Sequence, residues 1–388
     1  MAAAERTGID VMAEVEALVA EGARGPGTDA ERRAGRRLGD RLESLGRTIR
    51  SESLSTWPRW PAGLALLLLL GAGAGVLSVS VPEAGVALAL VTLVVFVLDA
   101  GGAFPLARRP FGRRTSQNVY SPAPAPHPGA LVIVAHVDAG RTGFVHRPGI
   151  ARLLPRPLQL LAVLLASMLA ACIVRVAGVD ADALTAVQFG LAVLLLAAVA
   201  LAADIWLSPT VPGASDNASG AALAVRLAER LDGKLESFGV HVLLTGAQET
   251  GGADGMRSFL RRHRRELPRD RTVFLNVDEV AAGSLRYARR EGPLLAARSN
   301  AQLAGLCREA GAQPVDVRSA SDGFAARYAG YPAITVTCRD EHGRSPWHHR
   351  RSDLPEHVEP EALAAAEELC VELAEGLDAT VGPELREP

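Results

Sequence analysis

Five residues of metal-ligating type, spread from His136 to His349, each stand where a hydrophobic run gives way to polar sequence. VIVAHVDAG supplies His136, with Asp138 two residues on. PGASDNASG supplies Asp216. VLLTGAQETGG supplies Glu249, preceded by Gln248. VFLNVDEV supplies Asp278, followed by Glu279. SPWHHRRSDLPEH supplies His349 and Asp353, with His348 as a competing imidazole. A set of two His and three carboxylates suits a pair of zinc ions, or a comparable divalent pair, because zinc takes imidazole nitrogen and carboxylate oxygen. One His or Asp at the end of a strand is more often a cap or a rim residue, so the argument rests on the five together.

Such a set needs elements that bring it to one place. ALVIVAH is a continuous apolar run, as expected of a strand buried on both faces. SGAALAVRLAERL predicts a helix, GVHVLLT a strand, GADGMRSFLRRHRREL a helix, TVFLNV a strand, NAQLAGLCREAG a helix, AITVTC a strand, and EPEALAAAEELCVELAEGL a closing amphipathic helix. This alternation predicts an α/β fold, a mostly parallel mixed sheet sandwiched by helices. Sites in such sheets collect at the carboxyl ends of strands, where His136, Glu249 and Asp278 all fall. Residues 8–48 read as two helices. The first stops at Gly22, and the second starts at Thr28 with Glu31 three residues later, a capping box. TIRSES and SQNVYSPAP read as extended, and SPAPAPHPG as a loop.

The chain has 388 residues and a formal net charge of -2, so bulk charge gives no sign of a nucleic-acid partner. Its 48% hydrophobic content is concentrated in four blocks, at about 61–81, 84–97, 158–174 and 184–203. Each approaches the roughly 20 residues needed to cross a bilayer, the second being the shortest. Trp57, Trp60 and Trp206 lie at block edges, where interfacial aromatics belong. The reading is two transmembrane hairpins, at 61–100 and 157–207, inserted into a domain made of 1–60, 101–156 and 208–388. Arg47, Arg50 and Arg59 precede the first span, and Arg108, Arg109, Arg113, Arg114, Arg147, Arg152 and Arg156 lie between the hairpins. The first hairpin turn has Glu83 and no basic residue; the second sets Arg175 against Asp180 and Asp182. The positive-inside rule then places both termini and all the metal-type residues on the cytoplasmic side. The four Cys form no CxxC pair, which fits a reducing compartment, and the first 22 residues have no apolar signal core.

With these motifs in place, the sequence resembles the zinc aminopeptidases of metallopeptidase family twenty-eight. The resemblance covers about residues 10–50, 115–145 and 208–375. ARGPGTDAERRAGRRLGDRLESLG resembles the family's N-terminal helix. AHVDAG, GASDNASG, NVDEV, SDGFAARYAGYPAI and HHRRSDLPEH resemble its successive site motifs, GASDNASG being the sharpest. The resemblance implies that Asp216 bridges two metals, with His136 and Asp278 completing one site and Glu249 and His349 the other. His349 is preferred over His348 because His-x-x-x-Asp matches the family spacing. Asp138 and Asp353 would accept the free imidazole N–H groups of His136 and His349. Asp322 matches a rim aspartate of the family or, equally well, a plain helix cap. His241, His263 and His357 read as surface or packing residues, and the run 261–265 as a solvated helix face.

The resemblance implies aminopeptidase-type hydrolysis of peptides by metal-activated water, and the four apolar blocks make the chain a multi-pass protein in contact with the bilayer. One position departs from it. The family pattern is Glu-Glu where this chain has Gln248-Glu249, and the first carboxylate serves as general base. An amide cannot accept and pass on a proton at neutral pH, and loss of a general base forfeits about 10²–10⁴-fold in rate. Glu279 is an alternative base by proximity, although adjacent residues of a strand point to opposite faces. The rival reading is a catalytically inactive scaffold that binds a peptide or protein partner. A transporter would want ionisable residues inside the spans, where only Gln188 is found, with Asp99, Arg175 and Asp204 at the edges.

Overall fold

The computed structural model describes residues 8–102, 104–382 and 384. Its nine strands are β1 (Arg50–Thr56), β2 (Arg114–Ser121), β3 (Gly129–His136), β4 (Phe238–Thr245), β5 (Thr272–Val277), β6 (Ser284–Glu291), β7 (Ala297–Arg298), β8 (Gln313–Val317) and β9 (Ala333–Arg339). They form one sheet in the order β1-β2-β4-β3-β5-β9-β6-β7, with β8 paired to β6. The middle of the sheet is parallel, β4-β3-β5-β9. The flanks β1-β2-β4 and β9-β6-β7 are antiparallel. The sheet is mixed, as expected, with its parallel strands gathered in the centre and β8 running parallel to β6 at one side. All eight residues of β3 are buried, as its apolar run requires. Strands β6 to β8 have no counterpart in the sequence reading, because charged runs such as SLRYARRE lack a core strand's apolar pattern.

The helices are α1 (Val11–Ala20), α2 (Asp29–Ser44), α3 (Trp60–Ser80), α4 (Pro82–Ala100), α5 (Pro148–Leu153), α6 (Pro157–Val176), α7 (Asp182–Leu207), α8 (Ser219–Leu231), α9 (Asp254–His263), α10 (Ala301–Glu309), α11 (Asp322–Tyr328) and α12 (Pro360–Thr380). One face of the sheet packs on α1, α2, α8, α10 and α12, around a core that includes Leu38, Leu131, Ile133, Leu223 and Leu275. The other face packs on α9 and α11 through Val132, Val134, Phe259 and Phe274. Thr28 caps α2 as expected, its hydroxyl accepting the Glu31 N–H at 3.2 Å. The reciprocal half of the capping box is absent. The Glu31 carboxylate accepts instead from Gly27 (2.7 Å), Ser116 (2.7 Å) and Ala247 (2.8 Å), and so ties α2 to the loop after β4.

Among the described residues, four helices are long and apolar enough to cross a membrane: α3, α4, α6 and α7. They pack as one bundle around Leu67, Leu68, Phe96, Leu165, Met168 and Leu195. Its outer surface exposes Val76, Val91, Val163, Phe189 and Leu194, an apolar belt that water would not tolerate and lipid would. Near the hairpin turns, Arg175 is buried. It donates to Gln188 Oε1 (2.9 and 3.1 Å), Thr185 (2.8 Å) and Asp180 (2.7 Å), and the Gln188 amide donates to Ser78 (2.8 Å). The one basic side chain at that end of the bundle is thus neutralised locally.

The opposite end of the bundle is fastened to the strand ends. Arg108 pairs with Asp99 at the end of α4 and donates to the Thr250 carbonyl, one residue after Glu249. Arg257 bridges the carbonyls of Gly252 (2.7 Å) and Gly101 (2.9 Å). Arg141 donates to the Ser208 carbonyl (2.5 Å), just beyond α7.

Candidate metal centre

The five expected ligands meet at the carboxyl ends of the central strands, in two groups that share Asp216. His136 closes β3, and its Nε2 lies 3.4 Å from Asp216 Oδ1 and 3.5 Å from Asp278 Oδ1. His349 Nε2 lies 3.0 Å from Glu249 Oε2 and 3.5 Å from Asp216 Oδ2. Tetrahedral zinc, with ligands at about 2.0–2.1 Å, keeps its donor atoms about 3.3 Å apart, so the spacings fit a shared ion better than a set of hydrogen bonds. The His136 and His349 Nε2 atoms are buried and make no hydrogen bond. Two buried imidazole nitrogens, each facing a different oxygen of Asp216, are the arrangement a metal pair would satisfy.

Electrostatics point the same way. Burial pushes Asp322 and Asp353 up to about 7 and raises Glu249 above the ordinary carboxylate range. Burial alone would neutralise His136, but Asp138, Asp216 and Asp278 outweigh it and hold its pKa well above the usual value. The pocket concentrates more buried acid than buried base, a field that favours cations.

The residues around the ligands do work beyond that expected. The carboxylate of Asp138 stands 3.5 Å from His136 Nδ1, as expected, and also does a second job. It accepts the backbone N–H groups of Gln248 (3.1 Å) and Glu249 (2.9 Å), while its own carbonyl faces His136 Nδ1 at 3.0 Å. Asp353 does not serve His349. Its two oxygens accept the N–H groups of Ser215 (2.7 Å) and Asp216 (3.1 Å). Each acid thus fixes the loop that presents another ligand, because backbone donors at the strand ends lie nearer than the rings. The atom that faces His349 Nδ1 is Nε2 of His146, at 3.3 Å. Asp322 is not the cap: Ser321 caps α11, and the buried Asp322 carboxylate accepts from Thr245, the strand partner of His136, at 2.5 Å.

Glu279 lies beyond the end of β5 with φ 55°, so strand alternation does not apply and its carboxylate faces the site. Its Oε1 lies 2.8 Å from His348 Nδ1 and its Oε2 pairs with Arg339. Burial works to raise its pKa, but Arg339 and His348 outweigh this and hold it at about 2. A carboxylate held so low is a poor proton acceptor, which argues against Glu279 as the replacement base. Gln248 is buried, and its amide donates to the Ala320 carbonyl at 3.0 Å.

Backbone strain collects in the same loops. Among the described residues, the non-glycine positions with positive φ are Ala247, Ala253, Glu279 and His349. Such conformations cost of order 1–3 kcal/mol each and cluster at functional sites. Gly140 is required by contact: a Cβ there would lie 2.3 Å from His349 Nε2.

Arg24 and His146 are the residues that sequence reasoning missed. Arg24 is fully buried and donates to the carbonyls of Leu18 (2.9 Å), Val137 (3.0 Å), Pro212 (2.9 Å) and Gly213 (2.8 Å). It joins the His136 loop to the Asp216 loop, and burial lowers its pKa to about 10. An apolar replacement strands these buried acceptors at about 1–3 kcal/mol each, not fully additive. Arg24→Met is therefore expected to lower the thermal midpoint by at least about 5 °C and to loosen metal retention. An unchanged midpoint would show that the clamp carries no load. The remaining histidines pack as expected: His241 on Tyr120, His263 between Glu52 and Glu266, and His357 on Trp347.

No curated protein matches the chain. Solved structures share its fold at low identity. Glutaminyl cyclase of Bacteroides thetaiotaomicron bound to N-acetylhistamine aligns over 94% of this chain and 97% of that one, at 13% identity and TM-score 0.55. A Zn-dependent exopeptidase from Parabacteroides distasonis aligns over 95% and 98%, at 13% identity and TM-score 0.55. The zinc aminopeptidase of Bacillus subtilis aligns over 95% and 94%, at 15% identity and TM-score 0.55. Residues 198–374, which include Asp216, Glu249, Asp278 and His349, match the sequence model of Peptidase family M28, and this segment belongs to that family.

Proposed function

We propose that the chain is a membrane-anchored, two-metal peptidase of aminopeptidase type, weakened by the amide at position 248. The observation that carries the reading is the pair of ligand clusters sharing Asp216. His136, Asp216 and Asp278 would hold one zinc ion, and Asp216, Glu249 and His349 the other. Bound metals would polarise the scissile carbonyl and make a water acidic enough to attack it. The chain's own residues do the rest. Asp138, Asp353 and Arg24 hold the ligand loops rigid. Gln248 offers a fixed dipole where a proton acceptor would speed the reaction. Elemental analysis of purified protein, beside an assay on a broad amino-acyl panel, tests the reading. About two zinc ions per chain with slow release of N-terminal residues is the expected result; a protein prepared without chelator and supplied with zinc that binds none would remove the reading.

Gln248 also supports the rival, a scaffold that holds a peptide or partner without cleaving it. Its amide already satisfies the Ala320 carbonyl, so the substitution is accommodated structurally.

The domain is read as cytoplasmic. The arginines that fasten it to the bundle, Arg108, Arg141 and Arg257, lie at the end opposite the hairpin turns, and Arg175 at the turns is paired with Asp180. A reporter active only outside the cytoplasm should be silent when fused after Pro388 and active when placed beside Glu83. The reverse pattern would invert the topology.

A further inference from the structure

The segment between β3 and the second hairpin contributes a side chain to the metal centre. We propose that His146 is a positioning residue for His349: its Nε2 accepts the Nδ1 proton of His349 and so turns the His349 Nε2 toward Glu249 and Asp216. The inference rests on the metal-centre reading above. An imidazole that offers its Nε2 lone pair to a metal carries its proton on Nδ1, and a buried donor needs an acceptor. Nε2 of His146 stands 3.3 Å away, in the place where a carboxylate was expected. The two rings meet edge to face, with centroids 4.6 Å apart at 61°. His348 stacks on His349 at 4.0 Å and 15°, so the His349 ring is held from two directions.

His146 is itself presented from the membrane side. It ends a short 3-10 turn, Phe144–His146, directly ahead of α5 and the α6 span. Asp204, near the end of the α7 span, accepts the Phe144 N–H at 2.5 Å. The Thr142 N–H donates to the Pro209 carbonyl at 3.1 Å, and Arg141 donates to Ser208. The acceptor behind His349 is therefore held by the second hairpin. Releasing the hairpin contact should reach the metal through His146.

The test uses the full chain in detergent, with zinc affinities measured by chelator competition and cobalt spectra of the substituted centre. His146→Phe keeps a ring but offers no acceptor. One of two zinc affinities should fall by about 10–100-fold while the other holds. The cobalt absorption bands should shift, and the metal-free thermal midpoint should stay. His146→Gln, whose side-chain oxygen can accept the same proton, should restore affinity and spectrum to near wild type. Asp204→Ala, which frees the Phe144 N–H, should weaken the same site as His146→Phe; this arm keeps the test decisive if the Phe variant misfolds. Identical affinities and spectra in all variants would overturn the proposal. A third zinc per chain, lost on either His146 substitution, would also overturn it by making His146 a ligand. A wild type that binds no zinc would instead remove the metal-centre reading itself.

Discussion

Asp216→Ala is expected to empty both metal positions at once, taking bound zinc from about two ions per chain to none. The two oxygens of Asp216 face different clusters, Oδ1 toward His136 and Oδ2 toward His349. No other ligand in the set is shared between them. Two dications about 3.5–4 Å apart repel strongly, and the bridging carboxylate is what offsets that repulsion. Removing it costs each ion a ligand and removes the charge between them. Asp278→Ala is the matched control, since Asp278 belongs to the His136 cluster and not to the Glu249–His349 cluster, and should remove one ion and leave the other. The Asp216 backbone is held by Asp353 through its own N–H, so the loop should keep its path when the side chain is gone. Elemental analysis of the two variants beside the wild type decides it. One zinc retained in Asp216→Ala would show that the clusters do not share this carboxylate.

The residues that meet at the candidate metal centre were legible because each belongs to a strand end or loop that the sequence marks by itself. A buried run ending in His136, or the GASDNASG loop, announces its chemistry locally. The four long apolar helices were legible for a similar reason, since each fills an apolar block near the length needed to cross a bilayer. What failed was pairing over long sequence distance. Asp138 and Asp353 read as partners of the histidines nearest in sequence, yet each holds a loop that arrives from elsewhere: Asp138 the loop 110 residues later, Asp353 the loop 138 residues earlier. Arg24 carries no local mark, because a single Arg after a short helix looks like a solvated charge until four carbonyls surround it. His146 carries no local mark either, because it lies in a loop ahead of an apolar block whose arginines read as flanking charges. Glu279 was misjudged because alternation was extended past the end of β5, where a positive φ turns the side chain back to the site.

Gln248→Glu should raise peptidase turnover by about 10²-fold at neutral pH, with zinc content unchanged. The change replaces one amide nitrogen by oxygen and adds almost no volume. Its cost is visible in the structure: Gln248 Nε2 donates to the Ala320 carbonyl, and an ionised carboxylate cannot. Losing that bond, and leaving a buried carbonyl unpaired, costs about 1–3 kcal/mol of stability. A 10²-fold rate gain corresponds to about 2.7 kcal/mol in the transition state, so the two effects are comparable in size but act on different quantities. The thermal midpoint should therefore drop while kcat rises. Zinc should be retained because Gln248 lies outside both ligand clusters and its backbone is held by Asp138. The new carboxylate gains freedom from Ala320, and that freedom lets it turn toward the water that metals bound beside Glu249 would hold. A flat rate with two zinc ions in place would mean that the substrate pocket is not competent, and the scaffold reading would then take precedence. Robust wild-type turnover, abolished by Asp278→Ala yet indifferent to Gln248→Glu, would show that the proton leaves by another group. The pairing of Glu279 with Arg339 argues that this group is not Glu279, so Glu279→Gln should leave such turnover intact.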